Sequence, residues 1–321
     1  MHTRSRFVET NGIRMYCVEA GDGPLVVLLH GFPESWHSWR HQLGALAAAG
    51  YHAVAPDLRG YGQTDRPEAL DAYDIFQLTG DVVGLVHALG QESAVIVGHD
   101  WGALITAYTA LFRPDMFRAV ALLSVPYSPR GKVKPTEWEQ KKYPGKVFYQ
   151  AALRAPGSDA FLMSNVRMSL LKGLYSLSGE AEDADRWSPV RDPSVRGAPL
   201  VPKMPSWLTE HDLDFLEAEY KRAGFTGGLN YYRNMDRNWT LTPFLDGAKI
   251  IQPTLFIAGD RDPVIKFTHP AYERLATNIP NLKNSVLLPG VGHWTQQERP
   301  QEVNRLLIEF LENCRVGRPI L

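Results

Sequence analysis

The sequence predicts an α/β fold, a mostly parallel, doubly wound sheet interrupted once by a helical insertion. Three observations carry this expectation. Short apolar runs alternate with helix-period segments from Leu25 to Leu123, and the alternation resumes from Thr254 to about Asn313, as strand–helix units of a parallel sheet would require. Between them, residues 127–245 lose that alternation. Finally, the run Ala94-Val95-Ile96-Val97 leads through Gly98-His99-Asp100-Trp101-Gly102 into a helix-like stretch over 103–112. Glycines thus flank a reactive side chain at a strand-to-helix turn.

The elements follow in order. Residues 6–9 and 13–20 read as a hairpin joined at Asn11-Gly12, a strong two-residue turn signal. Leu25–Leu29 is continuously apolar, the mark of a strand buried on both faces. A helix is expected over about 38–48, a strand over 52–55 and a helix over 73–89. After the strand-to-helix turn comes a strand over 119–123. Crossovers should be right-handed, and ligands should sit at the carboxyl ends of the strands. Residues 127–245 are rich in Pro, Gly, Tyr, Phe, Met and Trp, with short helical stretches such as 210–222. So many aromatics would be a liability if left exposed, so the segment is expected to form a helical cap over the sheet. Strands at 254–258 and 285–288 and a helix over 301–313 complete the pattern. The predicted organisation is a core in two parts, 1–126 and 246–321, with a cap at 127–245.

Composition narrows the functions. The chain has 321 residues, long enough for one α/β domain with an insertion. Lys and Arg total 34 against 35 Asp and Glu, and they are scattered, which disfavours nucleic acid or an acidic membrane surface as partner. Cys17 and Cys314 lie at opposite ends and have no metal-ligand spacing, so a reducing cytoplasm is expected. The polar residues 1–6 argue against a signal peptide, and no apolar run reaches the roughly 18–20 residues of a membrane span. Nothing in the composition excludes a homodimer.

The chemistry turns on Asp100. A carboxylate has a reference pKa of about 4, so it is already a nucleophile at neutral pH. Alkylated, it becomes an ester that water can cleave, whereas a Ser attacking the same carbon would leave a stable ether. An Asp at this turn therefore points to electrophilic carbon, an epoxide or an alkyl halide, and away from esters and peptides. A turn of this kind is the nucleophile elbow of α/β-hydrolases, where chain order is nucleophile, acid, histidine. The histidine candidate is His293, in Gly290-Val291-Gly292-His293-Trp294, after the strand ending at Leu288. The acid lies in Gly259-Asp260-Arg261-Asp262-Pro263. Asp262 is preferred, and spacing alone does not exclude Asp260. Oxyanion donors are expected from the backbone N–H groups of Trp101 and Phe32, the latter in His30-Gly31-Phe32-Pro33. The competing reading of Asp100 is a helix cap, that of His293 a loop histidine, and that of Asp262 a cap or turn. Trp101 is expected to line the pocket as well. His99 reads as a structural neighbour, and Trp36, Trp39 and Trp294 as wall or core.

The motifs His30-Gly31-Phe32-Pro33-Glu34-Ser35-Trp36, Gly98-His99-Asp100-Trp101-Gly102 and Gly292-His293-Trp294 resemble those of the soluble epoxide hydrolase family, over about residues 11–310. Asp57-Leu58-Arg59-Gly60-Tyr61-Gly62 resembles a structural loop of that family. The resemblance implies the α/β-hydrolase fold and two cap tyrosines that hold the epoxide oxygen. Asn230-Tyr231-Tyr232-Arg233-Asn234 places one at Tyr232. Phe148-Tyr149-Gln150, with Ala155-Pro156-Gly157 following, places the other at Tyr149. The chemical need is clear without the family. Ring opening creates an alkoxide, and a phenol of pKa about 10 can hydrogen-bond to it and then protonate it. The expected substrate is a small hydrophobic epoxide, with water as the second reactant.

Rival functions share parts of this pattern. A haloalkane or haloacid dehalogenase would use the same Asp, but paired tyrosines would be wasted on a halide, and Phe32 stands where such enzymes often carry Asn. A non-catalytic ligand binder or an inert scaffold would not need Asp100, Asp262 and His293 together. No cofactor is implied. His and carboxylate spacing forms no metal-ligand set, and no Gly-x-Gly-x-x-Gly follows a strand.

Overall fold

The computed structural model describes residues 3–194 and 200–316. The main sheet is built from β1 (Arg4–Thr10), β2 (Ile13–Ala20), β3 (Leu25–Leu29), β4 (His52–Pro56), β5 (Ala94–His99) and β6 (Phe117–Leu123). A small pair follows, β7 (Val147–Phe148) and β8 (Val190–Arg191), and then β9 (Thr254–Gly259) and β10 (Leu282–Leu288) rejoin the main sheet. Its spatial order is β1-β2-β4-β3-β5-β6-β9-β10. β1/β2 and β2/β4 pair antiparallel, and every later pair is parallel. This is the α/β architecture expected from the sequence.

The strand period explains why these apolar runs form the centre. Leu25, Val27 and Leu29 of β3 enter one core, and Val26 and Leu28 enter the other. β5 and β9 do the same, with Ile96, Phe256 and Ala258 on the first side and Val95, Val97, Leu255 and Ile257 on the second. Successive side chains point to opposite faces, so a strand covered on both faces is apolar throughout. The β1–β2 turn has Asn11 and Gly12 both at positive φ, 44° and 75°, as a tight two-residue hairpin requires. Asn11 then donates to Asp81 at 2.9 Å. Asp81 is also gripped by the Arg59 guanidinium, which anchors the hairpin to the helix Ile75–Ala88.

Helix starts differ from the sequence expectation for a local reason. Residues 36–39 and 70–73 are 3₁₀ turns, so the helices begin at Arg40 and Ile75. Asp74 accepts from the Phe76 and Gln77 amides and so caps the second helix.

Between β6 and β9 the chain leaves the sheet and is largely helical, with Val166–Ser176, Glu210–Ala223 and Thr226–Arg233 among its helices. Glu210–Ala223 is bounded by a Thr209/Asp212 capping box and by Gly224, and it buries Leu213, Leu216 and Tyr220 along one face. Tyr220 donates to Glu34 O at 3.0 Å and Tyr231 to Arg59 O at 2.9 Å, which ties these helices to the loops after β3 and β4. Within this segment β7 and β8 form a small antiparallel pair. At two residues each they are too short to leave a period in the sequence. Their effect is positional, because Tyr149 follows β7 directly and its amide donates to Pro189 O at 2.8 Å.

Candidate active site

Asp100 sits where β5 turns into the helix Trp101–Phe112, at φ 53° and ψ −116°. Only a crowded surround holds a non-glycine residue there. The flanking glycines are dictated by contact. A Cβ on Gly98 would lie 2.1 Å from Gly102 O, and one on Gly102 would lie 2.1 Å from Leu29 O. A Cβ on Gly31 would strike the Asp100 side chain at 2.4 Å. Asp100 does not cap the helix it precedes. Its Oδ1 accepts the Phe32 amide at 2.9 Å, and its Oδ2 lies 3.5 Å from His293 Nε2.

His293 is reached by the loop after β10. Its Nδ1 donates to Asp262 Oδ2 at 2.9 Å. Asp262 is fully buried, and its Oδ1 accepts the Val264 amide at 2.7 Å. The cap and the histidine partner are therefore one residue, because capping the helix Pro263–Phe267 fixes the carboxylate rotamer and leaves Oδ2 for the imidazole. Asp260 points elsewhere and accepts the Gly290 amide at 2.8 Å, so of the two aspartates it is Asp262 that contacts His293.

Charge follows from this geometry. Burial opposes protonation of His293, but the carboxylates of Asp262 and Asp100 outweigh it and push its pKa up to about 10. Burial likewise raises the Asp100 pKa, yet His293, the charge of His99 and the Phe32 N–H together hold it below the ordinary carboxylate value. In the resting state Asp100 is thus an anion facing an imidazolium.

Tyr149 and Tyr232 face the same cavity of about 180 Å³, together with Phe32, Asp100, Leu153, Trp187 and His293. Their ring centroids are 6.3 Å apart and nearly perpendicular. Burial first, and the Asp100 charge second, raise both phenol pKa values above the usual tyrosine range, so both hydroxyls keep their protons. Gln150 donates to the Tyr149 hydroxyl at 3.0 Å. A larger hollow of about 350 Å³, lined by Arg14, Arg66 and Arg222 among others, contains none of these groups.

Trp101 departs from expectation. It is buried and does not line the cavity. Its ring stands edge-on to that of Tyr232, with centroids 5.0 Å apart. The elbow turns the first helical side chain behind the pocket wall, so Trp101 supports Tyr232.

Beneath the cavity lies a polar layer whose working parts the sequence did not disclose. His99 Nδ1 donates to Glu34 Oε2 at 2.7 Å, and Nε2 donates to His293 O at 2.8 Å. Both ring nitrogens thus face oxygen acceptors. Glu34 also accepts from the Gly31 amide at 2.9 Å and from Gln296 and Gln297, each at 3.1 Å. His30 accepts the Leu58 amide at 3.0 Å, and burial pushes its pKa down to about 4, so it is a neutral strut. Glu34 lies in the His30–Trp36 run, but its pairing with His99 spans 65 positions and no local pattern reports it. Trp36, Trp39 and Trp294 do not line the cavity. Among the described residues no group of three or more His, Cys, Asp or Glu is placed to hold a metal ion.

Comparisons with known proteins agree with this geometry. Residues 24–300 match the alpha/beta hydrolase fold family. The chain is 46% identical over 312 residues to epoxide hydrolase A of Mycobacterium tuberculosis, covering 95% of this chain and 96% of that one. It is 40% identical to epoxide hydrolase 3 of Siraitia grosvenorii, over 95% and 96% of the two chains. A solved epoxide hydrolase from an endophytic Streptomyces superposes with a TM-score of 0.91 at 45% identity, covering 98% of this chain and 96% of that one. With near-complete coverage on both sides, and an Asp elbow facing two tyrosines, the chain belongs to the epoxide hydrolases of the α/β-hydrolase superfamily.

Proposed function

We propose that this enzyme converts a small hydrophobic epoxide and water into a vicinal diol through an ester on Asp100, with His293, Asp262, Tyr149 and Tyr232 as its working side chains. The carrying observation is one cavity in which an ionised Asp100 and a histidine face two protonated tyrosines. Asp100 attacks a ring carbon, the C–O bond opens, and a tyrosine protonates the departing oxygen. The raised tyrosine pKa makes the resulting phenolate recapture a proton, which His293 relinquishes. Neutral His293, oriented by Asp262, then takes a proton from water, and the hydroxide adds to the ester carbon. The Phe32 and Trp101 N–H groups receive the oxyanion. Collapse releases the diol. Of the two water hydrogens, one leaves on the diol and the other remains on His293, restoring the resting pair.

Residues 127–245 act in this reading as a cap that carries the tyrosines over a core of 1–126 and 246–321. The cavity wall, with Leu153, Leu162, Leu177, Trp187 and Phe225, suits an apolar substituent. Among the described residues no helix is long and apolar enough to cross a membrane. The free thiols of Cys17 and Cys314 suit a cytoplasmic setting, and a homodimer is compatible with this reading. Dehalogenation is disfavoured because phenols poised to give up a proton have no task with a halide.

A single turnover in heavy-oxygen water tests the route. The label should enter the Asp100 carboxylate and be absent from the first diol formed. Label in that first diol means direct attack by water and ends the covalent reading. For the tyrosines, Tyr232→Phe and Tyr149→Phe should each slow ester formation on the order of 10²-fold, with ester hydrolysis nearly unchanged. Rapid-quench mass spectrometry separates the two steps, and hydrolysis falling as far as formation would remove the tyrosines from this role.

A further inference from the structure

Glu298 is buried at the end of the short helix Thr295–Glu298, away from the cavity lining. Its carboxylate is met by backbone N–H groups from two separate parts of the chain. Oε2 accepts Gly179 N at 2.9 Å and Gly292 N at 3.0 Å, and Oε1 accepts Trp294 N at 3.1 Å. The Ser178 hydroxyl stands 3.4 Å from Oε2. Gly292 and Trp294 flank His293. Gly179 belongs to the segment that follows the helix Val166–Ser176, whose Ser169 and Gly173 line the cavity together with Leu177.

Further contacts cross the same seam. His293 N donates to Leu177 O at 2.8 Å, and Trp294 Nε1 donates to Leu174 O at 2.9 Å. The two backbones approach so closely that a Cβ on Gly179 would lie 2.2 Å from Gly290 O, and one on Gly292 would lie 2.2 Å from Gly179 N. Two chain segments that each present N–H donors do not pack together unless an acceptor lies between them. Glu298 is that acceptor, and the two oxygens of one carboxyl group can take several N–H bonds at once.

We infer that Glu298 is a positioning residue for ester hydrolysis: its carboxylate clamps the peptides on both sides of His293 to the 177–179 segment of the cavity wall. It sets where the imidazole stands relative to the ester without touching substrate. This rests on the reading of His293 as the base of the second step. The clamp makes no bond to Asp100, Phe32, Tyr149 or Tyr232, so ester formation, in which His293 serves only as the counter-charge of Asp100, depends on it far less than hydrolysis does.

Glu298→Gln is the discriminating substitution. It keeps the volume but leaves one acceptor oxygen and places an NH₂ group against N–H donors. Glu298→Asp keeps the carboxyl group with a shorter reach. Both are compared with the parent by rapid-quench mass spectrometry over one turnover of racemic styrene oxide, after circular dichroism has checked the fold. In Glu298→Gln, ester formation should stay within about twofold, while ester decay slows on the order of 10- to 100-fold, the usual penalty for misplacing a reacting group by about an ångström. Glu298→Asp should recover part of the decay rate and, should the Gln variant not fold, carry the same split by itself. Both steps falling in proportion, or neither changing, overturns the inference. A parent that forms no ester, or a His293→Gln variant that does not accumulate it, instead overturns the mechanism on which the inference rests.

Discussion

Asp100→Ala should abolish diol formation, a loss on the order of 10⁴-fold or more, and the intact mass should stay unchanged however long the variant is held with epoxide. Among the described residues, no other carboxylate lines the cavity. Asp262 is fully buried behind His293, with Oδ1 on the Val264 amide and Oδ2 on the imidazole. Asp260 is committed to Gly290. The remaining donors and tyrosines would still polarise a bound epoxide, but they offer no atom to displace the ring oxygen. A second readout is independent of turnover. His293 owes its pKa of about 10 to Asp262 and Asp100 acting together against burial. Removing Asp100 leaves burial opposed by one carboxylate, so the His293 pKa must fall, and titration of the imidazole signals by NMR reads this directly. An unmoved pKa would mean that the two side chains are not coupled as the 3.5 Å separation implies.

The second large effect is at His293. His293→Gln should let the Asp100 ester accumulate to near one equivalent, with turnover reduced about 10³- to 10⁴-fold, the usual weight of a general base. Intact mass after substrate addition separates this variant from Asp100→Ala, since only the first gains the mass of the epoxide. The pH dependence has a definite sign. Ester formation needs Asp100 ionised and the tyrosines protonated. The Asp100 pKa is held below the usual value and the tyrosine pKa values above theirs, so kcat/KM should be flat from about pH 5 to pH 9. Ester hydrolysis needs neutral His293. Esterification removes the Asp100 charge, so the His293 pKa drops below its resting value. The hydrolysis step should therefore accelerate as pH rises through that lower pKa and then level off. A hydrolysis step that titrates near pH 10 would show that ester formation does not discharge the imidazole.

Much of this site is legible in the chain because its main constraints are local. Asp100 is legible through its two glycines, which the elbow demands for contacts at 2.1 Å. β3, β5 and β9 are legible because burial on both faces leaves continuous apolar runs. The hairpin is legible through Asn11-Gly12, whose backbone angles few other pairs adopt. Tyr149 is harder to read, because its place depends on β7 pairing with a strand more than 40 positions away. The preference for Asp262 over Asp260 depends on which carboxylate the turn after β9 directs inward.

The chain alone pointed to the strand–helix alternation and to an acid at the strand-to-helix turn, because each is a relation among residues close together along the backbone. Tertiary structure alone decided which aspartate serves the histidine, that Trp101 stands behind Tyr232, and that Glu34–His99 and Glu298 underlie His293. Each of these pairings joins groups distant along the chain, brought together by the sheet for Asp262–His293 and Glu34–His99 and by the helical segment closing on the sheet for Trp101–Tyr232 and Glu298–Gly179. In a buried site, the hydrogen bonds and charges that set pKa values act over a few ångströms of space, however far apart the partners lie along the chain.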